Sequence, residues 1–167
     1  MKNVLTAMLA TTLTLGAQGY VQAADASFTV RLMTPETALK AAQAALTKCR
    51  AAGYQVAVAV VDRTGQTQVM LRDRFAGMHT PGAAVDKAWT AVSFKMNTTL
   101  FADATQPGRP TSGIRHIPRV LAIGGGIQIE AAGSLFGAIG VSGAPSGEAD
   151  DGCAKAGIEA ILEDLEL

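Results

Sequence analysis

The sequence predicts an α/β domain of the α+β kind, with a five-stranded antiparallel sheet flanked by helices. Two observations carry this. Five short runs rich in β-branched and apolar residues, at 55–61, 66–72, 120–123, 127–129 and 135–141, are each too short for a helix. Within the first pair and the final triplet the connections are tight turns. Strands joined so closely must pair antiparallel, because a parallel connection needs a crossover of roughly a dozen residues. Helical periodicity stands before, between and after these runs, which gives the order α-β-β-α-(α)-β-β-β-α.

The first helix opens at Thr34-Pro35-Glu36-Thr37, where a capping hydroxyl, a proline at the first helical position and an acidic first turn coincide. Leu39, Ala42, Leu46 and Cys49 recur at spacings of three and four, and the helix ends near Gly53. Residues 55–61 read as a buried strand, Asp62-Arg63-Thr64-Gly65 as a turn, and 66–72 as the returning strand of a hairpin. Thr80-Pro81 starts the second helix with Thr80 as its cap. Val85, Ala88, Trp89, Val92 and Met96 lie on one side of it, with Trp89 read as core. A short third helix covers 98–104, and residues 105–118 form a long polar loop containing three prolines. Gly124-Gly125-Gly126 reads as a tight hairpin or bulge between strands. A single helix over 146–167, with Ala154, Ile158, Ile161, Leu162 and Leu165 inward, closes the chain.

The amino terminus has one positive charge at Lys2, an uncharged stretch over 4–16, and small residues around Val21-Gln22-Ala23. That is the layout of a secretory signal peptide, cleaved after Ala23 or, as a second choice, within Ala24-Asp25-Ala26. The apolar run, about 13 residues, falls short of the roughly 20 that a membrane-spanning helix needs. The expected organisation is therefore a signal peptide over 1–23, an extended leader over 24–33 and one domain over 34–167, placed in the periplasm or secreted. The 144 residues left after cleavage suit one domain with a real core. They carry thirteen basic against fourteen acidic residues with no basic cluster, which argues against nucleic acid as a partner. No later apolar segment is long enough to span a bilayer.

Several chemistries lack their motifs. There is no G-x-S-x-G, no Ser-His-Asp arrangement to assemble from two histidines on loops, and no clustered His and carboxylate ligands for metal hydrolysis. The glycine run lacks a following Walker lysine and joins strand to strand, so a P-loop or dinucleotide reading fails. Cys49 and Cys153 are the only cysteines, with no C-x-x-C or C-x-x-C-H. They read as two buried thiols acting as small hydrophobes. A disulfide is the alternative, since antiparallel packing of the first and last helices would bring them together.

Three segments together resemble one family: Val60-Val61-Asp62-Arg63-Thr64-Gly65 with Arg72, residues 76–94 (AGMHTPGAAVDKAWTAVSF), and Gly124-Gly125-Gly126-Ile127 through residues 137–144 (GAIGVSGA). The closing Glu148-Ala149-Asp150-Asp151-Gly152-Cys153-Ala154 also fits. The chain is similar to GlcG/HbpS-like proteins, a family that includes the carboxy-terminal domain of PduO-type proteins, over roughly residues 32–165. The resemblance implies a profilin-like fold, assembly as a homo-oligomer and haem as a ligand. For exported members it implies haem capture, haem degradation or redox sensing. Two other settings come with it: an accessory factor or enzyme acting on a small organic acid or aldehyde, and a non-catalytic oligomer partnering a sensor or transporter. The sequence departs from the family pattern at Asp86, where a basic residue is expected.

Seen through that resemblance, His79 is the first choice as axial ligand to haem iron, since imidazole is a usual one; taken alone it is a loop histidine. Met78 offers a thioether beside it, although methionine more often fills core gaps. Tyr54 is a phenol at a helix-to-strand junction, where packing is the simpler role. Lys87 points into a cleft or reaches solvent. His116 sits among Arg109, Arg115 and Arg119, whose guanidinium forks suit haem propionates; read plainly, these form a solvated basic loop.

Overall fold

The computed structural model describes residues 26–166, so the signal-peptide and cleavage readings lie outside the described residues. The elements are α1 (Pro35–Ala51), β1 (Ala57–Asp62), β2 (Thr67–Arg72), α2 (Thr80–Phe94), α3 (Thr98–Ala104), β3 (Gly126–Ala131), β4 (Ser134–Ser142), α4 (Gly147–Glu159) and α5 (Leu162–Glu166). A 3₁₀ turn at Ser112–His116 interrupts the polar loop. The strands form one antiparallel sheet in the order β2-β1-β4-β3.

That sheet has four strands, not the expected five. Residues 120–123 are apolar but run as irregular chain: the Val120 N–H donates to the Ile117 carbonyl, and the Leu121 N–H donates to Thr90 Oγ1 at 2.9 Å rather than to a neighbouring strand. The closing helix is also two helices. It breaks at Ala160–Ile161, where Ile161 turns fully into the core.

Two layers of helix cover the sheet. On one face Val58, Val60, Ile129, Ile139 and Val141 meet α1 and α4 in the main core. On the other, α2 lies close to the sheet because both surfaces are small: Ala57 and Ala59 meet Ala84, and Val61 and Ala138 meet Ala88 and Ala91. A Cβ at Gly140 would run into the Ala84 carbonyl, so that contact requires glycine. The capping prediction at α1 holds, with Thr34 Oγ1 accepting the Thr37 N–H. Trp89, expected in the core, is only half-buried; its indole is packed against the Gly65 turn on one side and Arg119 on the other.

Cys49 and Cys153 form a disulfide, which corrects the reading as free thiols. The helices do run antiparallel: Lys40 pairs with Asp164, Ala41 and Ala45 touch Gly157, and Cys49 bonds Cys153. Small residues along both helices bring the two Cα atoms to 5.5 Å, within bonding reach. The described part of the leader is extended and tied down, with Arg31 donating to the Leu165 carbonyl and Gln68 donating to the Met33 carbonyl.

Candidate functional site

A cleft of about 470 Å³ opens where α2, residues 121–123 and the β4–α4 connection meet. Its size falls within the range of small-molecule sites. One wall is a single helix face: His79, Ala83 and Lys87 stand four residues apart and all line it. Leu121 and Ile123 form the facing apolar wall, and Ser142 through Gly147 close the third side.

His79 stands at the lip and is exposed. Thr80 is not the cap of α2 but its first helical residue; its hydroxyl bonds back to the Gly77 carbonyl at 2.8 Å. His79 therefore takes the cap position, and its imidazole makes no capping bond. The ring lies over Gly77. A Cβ there would stand 2.8 Å from Cε1 and 3.1 Å from Nδ1, so the glycine leaves the space the imidazole occupies. The preceding loop is fixed from below: Arg72 donates to the Ala76 carbonyl, and Asp73 takes Arg50 at 2.5 Å. It presents Phe75 and Met78 outward, 79% and 95% exposed, with Met78 between the lining residues Gly77 and His79.

Lys87 reaches the floor of the cleft rather than solvent. Its ammonium donates to Asp150 Oδ2 at 2.7 Å and to the Val141 carbonyl at 2.9 Å, with both side chains 4% exposed. Burial pushes the Asp150 carboxyl above the ordinary aspartate range, and it outweighs the lowering effect of Lys87 and of the Ala144 N–H that Asp150 accepts. The three glycines belong to this arrangement. They are not a hairpin: they carry the chain between three helices into β3. Gly125 donates to Asp151, Gly126 donates to Thr98 Oγ1 at 2.8 Å, and Gly124 lies against the Gly147 backbone. The amides of Gly125 and Gly126 are thus committed to the protein itself.

The other sequence candidates lie elsewhere. His116 and Arg115 line a second hollow with Pro107, Gly108, Ser112 and Gly113, which shares no residue with the His79 cleft. Arg115 is spent on Thr105 and on the Ala102 carbonyl, at 2.6–3.0 Å. Arg119 stacks 4.9 Å over Trp89 and pairs with Asp86, so the acidic residue at the departed position has a basic partner. Arg109 is exposed, and Tyr54 packs against the main core. Among the described residues, no three His, Cys, Asp or Glu side chains gather to hold a bare metal ion.

The family model described as haem degrading protein HbpS-like matches residues 33–159. The chain belongs to the HbpS-like family. A crystal structure of a Streptomyces reticuli HbpS double mutant aligns with a TM-score of 0.77 at 37% identity, covering 87% of this chain and 99% of that one. A structure of a PduOC:heme complex aligns with a TM-score of 0.74 at 32% identity, covering 78% and 96%. In sequence, the corrinoid adenosyltransferase PduO of Salmonella typhimurium is 35% identical over 121 residues, 71% of this chain but only 36% of PduO's own length. This HbpS-like chain thus spans about a third of that relative.

Sequence reasoning singled out His79, Met78 and Lys87, and the structure brings all three to or beside one cleft. It missed Gly77, Asp150 and the Leu121–Ile123 wall. The four-residue spacing of His79, Ala83 and Lys87 was a signal for the shared face.

Proposed function

We propose that this HbpS-like protein captures haem in the cleft at the start of α2, with His79 as the axial ligand. The observation that carries this is the uncommitted imidazole at the lip, seated over Gly77 beside an apolar wall. The site suits a flat, mostly apolar macrocycle that needs one nitrogen donor. Leu121, Ile123, Ala83, Ala144 and Pro145 offer apolar contact, and Met78 stands exposed between the lining residues Gly77 and His79. The family match and the haem complex of a relative at 32% identity support the same ligand. When bound, haem would supply the iron chemistry, and the chain supplies binding, orientation and partial exclusion of water. Met78 is the alternative donor on the same loop. Lys87 lines the floor with its ammonium held by Asp150 and the Val141 carbonyl, and Arg115 and His116 stand at a different hollow.

Export belongs to the same reading. It is supported by the signal-peptide pattern over 1–23 and by the Cys49–Cys153 disulfide, a bond that persists in oxidising compartments. Assembly as a homo-oligomer is part of it and is checked by sedimentation of the mature chain.

Titration of the mature protein with hemin tests the proposal. The expected result is a saturable Soret shift, weakened in His79→Ala. An unchanged titration in that variant would overturn the His79 assignment, and no saturable binding in the wild type would overturn the haem reading.

A further inference from the structure

Arg119 has φ of 73°, in the left-handed region. Among the described residues two other non-glycine residues share that sign, but Lys95 ends α2 and Ala132 turns the β3–β4 hairpin, where left-handed backbone is ordinary. Arg119 follows Pro118 at the third position of the Ile117–Val120 turn, closed by the Val120 N–H on the Ile117 carbonyl, where a positive φ favours glycine or asparagine over arginine. An arginine at that position is uncommon, and side chains around it help to hold it there.

Three side chains on one face of α2 do the holding. Asp86 Oδ1 lies 3.4 Å from the Arg119 Nε, and the Trp89 ring lies 4.9 Å from the guanidinium centre. Thr90, fully buried, donates through Oγ1 to the Arg119 carbonyl at 3.4 Å and accepts the Leu121 N–H at 2.9 Å. Trp89 is backed in turn by the Gly65 turn, where a Cβ would stand 2.8 Å from its ring. Two residues beyond Arg119 the chain begins the apolar wall of the cleft, and its far end is tied by the Gly125 amide on Asp151.

We propose that Arg119 is a positioning residue for the cleft: its stack on Trp89 and its pair with Asp86 set where the Leu121–Ile123 wall stands, and so how tightly a planar apolar ligand is held. The ligand half of this inference rests on the haem reading above; the wall half does not.

Arg119→Gly is the informative variant, because glycine adopts a positive φ without strain and only the side-chain clamp is lost. Three readouts apply: hydrogen exchange at the Leu121 amide, emission of Trp89, which is the sole tryptophan, and the rate of hemin dissociation. A half-exposed cation–π contact and ion pair together set the scale, so exchange and hemin dissociation should each quicken roughly fivefold to tenfold. Trp89 emission should shift, and the thermal midpoint should stay near the wild type. Arg119→Lys, which keeps charge but not the planar stack, should fall between. Asp86→Ala should act in the same direction, and combining it with Arg119→Gly should add little further. Unchanged Leu121 exchange and hemin dissociation in Arg119→Gly would overturn the proposal, as would global unfolding of that variant with Arg119→Lys indistinguishable from wild type. If the wild type binds no hemin, the haem reading fails alone, and Leu121 exchange still decides whether Arg119 sets the wall.

Discussion

Replacing Lys87 with methionine removes one half of a buried ion pair while roughly keeping the volume of the side chain. In the native protein the Asp150 carboxylate is compensated by the Lys87 ammonium at 2.7 Å and the Ala144 N–H at 3.0 Å, with both charged side chains 4% exposed. Without Lys87 only the amide remains. Removing one partner of a pair this buried typically costs about 3–5 kcal/mol, because the survivor keeps its desolvation penalty. For a domain of this size that corresponds to a fall in Tm of roughly 10–15 °C. The loss depends on pH in a definite direction. Burial already holds the Asp150 pKa above its ordinary value, so its contribution to stability is fully present below the ordinary aspartate pKa and falls as pH rises through the folded one. Taking away Lys87 raises that pKa further and widens the window. The variant should therefore lie closest to wild type in acid, with the gap growing toward neutral pH. Urea unfolding across that range measures it. A loss below about 1 kcal/mol at neutral pH, or one constant with pH, would refute the description of Lys87–Asp150 as a dry pair. Lys87→Met combined with Asp150→Asn should recover much of the loss, since no charge is then left buried and the amide carbonyl can still accept from Ala144.

Gly125→Ala should cost about 3 kcal/mol in thermal unfolding, from a φ of 115° and a Cβ placed against the Val141 carbonyl and 2.9 Å from Lys87 Nζ; a change under about 1 kcal/mol would contradict that packing. Gly77→Ala should push the His79 ring aside and weaken hemin binding about tenfold, while stability moves by no more than about 0.5 kcal/mol; equal affinity would show that the ring position is irrelevant. Thiol titration of the unfolded, unreduced chain should find no free cysteine. Cys49→Ala with Cys153→Ala should lose up to about 4.7 kcal/mol, the loop-entropy value for a closure of the 104 residues that separate them.

Where the fold was legible, local chemistry and packing agreed. Thr34-Pro35 starts α1 because the hydroxyl caps it and the proline has no N–H to lose, and the turn at Asp62–Gly65 returns the chain as β2 antiparallel to β1. Residues 120–123 have strand composition, yet they pair with no strand of the sheet. The Thr90 hydroxyl takes the Leu121 N–H instead, an interaction across 31 residues that composition does not encode. The same holds for Lys87 and Asp150, 63 residues apart. The closing helix breaks because Ile161 is drawn into the core, which periodicity alone reads as continued helix. The cysteines were ambiguous for the opposite reason: sequence allowed the antiparallel helices but not how closely Ala41, Ala45 and Gly157 let them approach. His79 was legible as a residue type in its family setting; its seat over Gly77 came only with the backbone.

The most direct test of haem in this cleft is paramagnetic broadening of backbone amide signals on adding one equivalent of hemin to the isotopically labelled mature chain. The expected broadening centres on residues 77–83, 121–123 and 142–147, the three walls around His79. Broadening centred instead on Ser112–His116, at the second hollow, or spread without a centre, would contradict it.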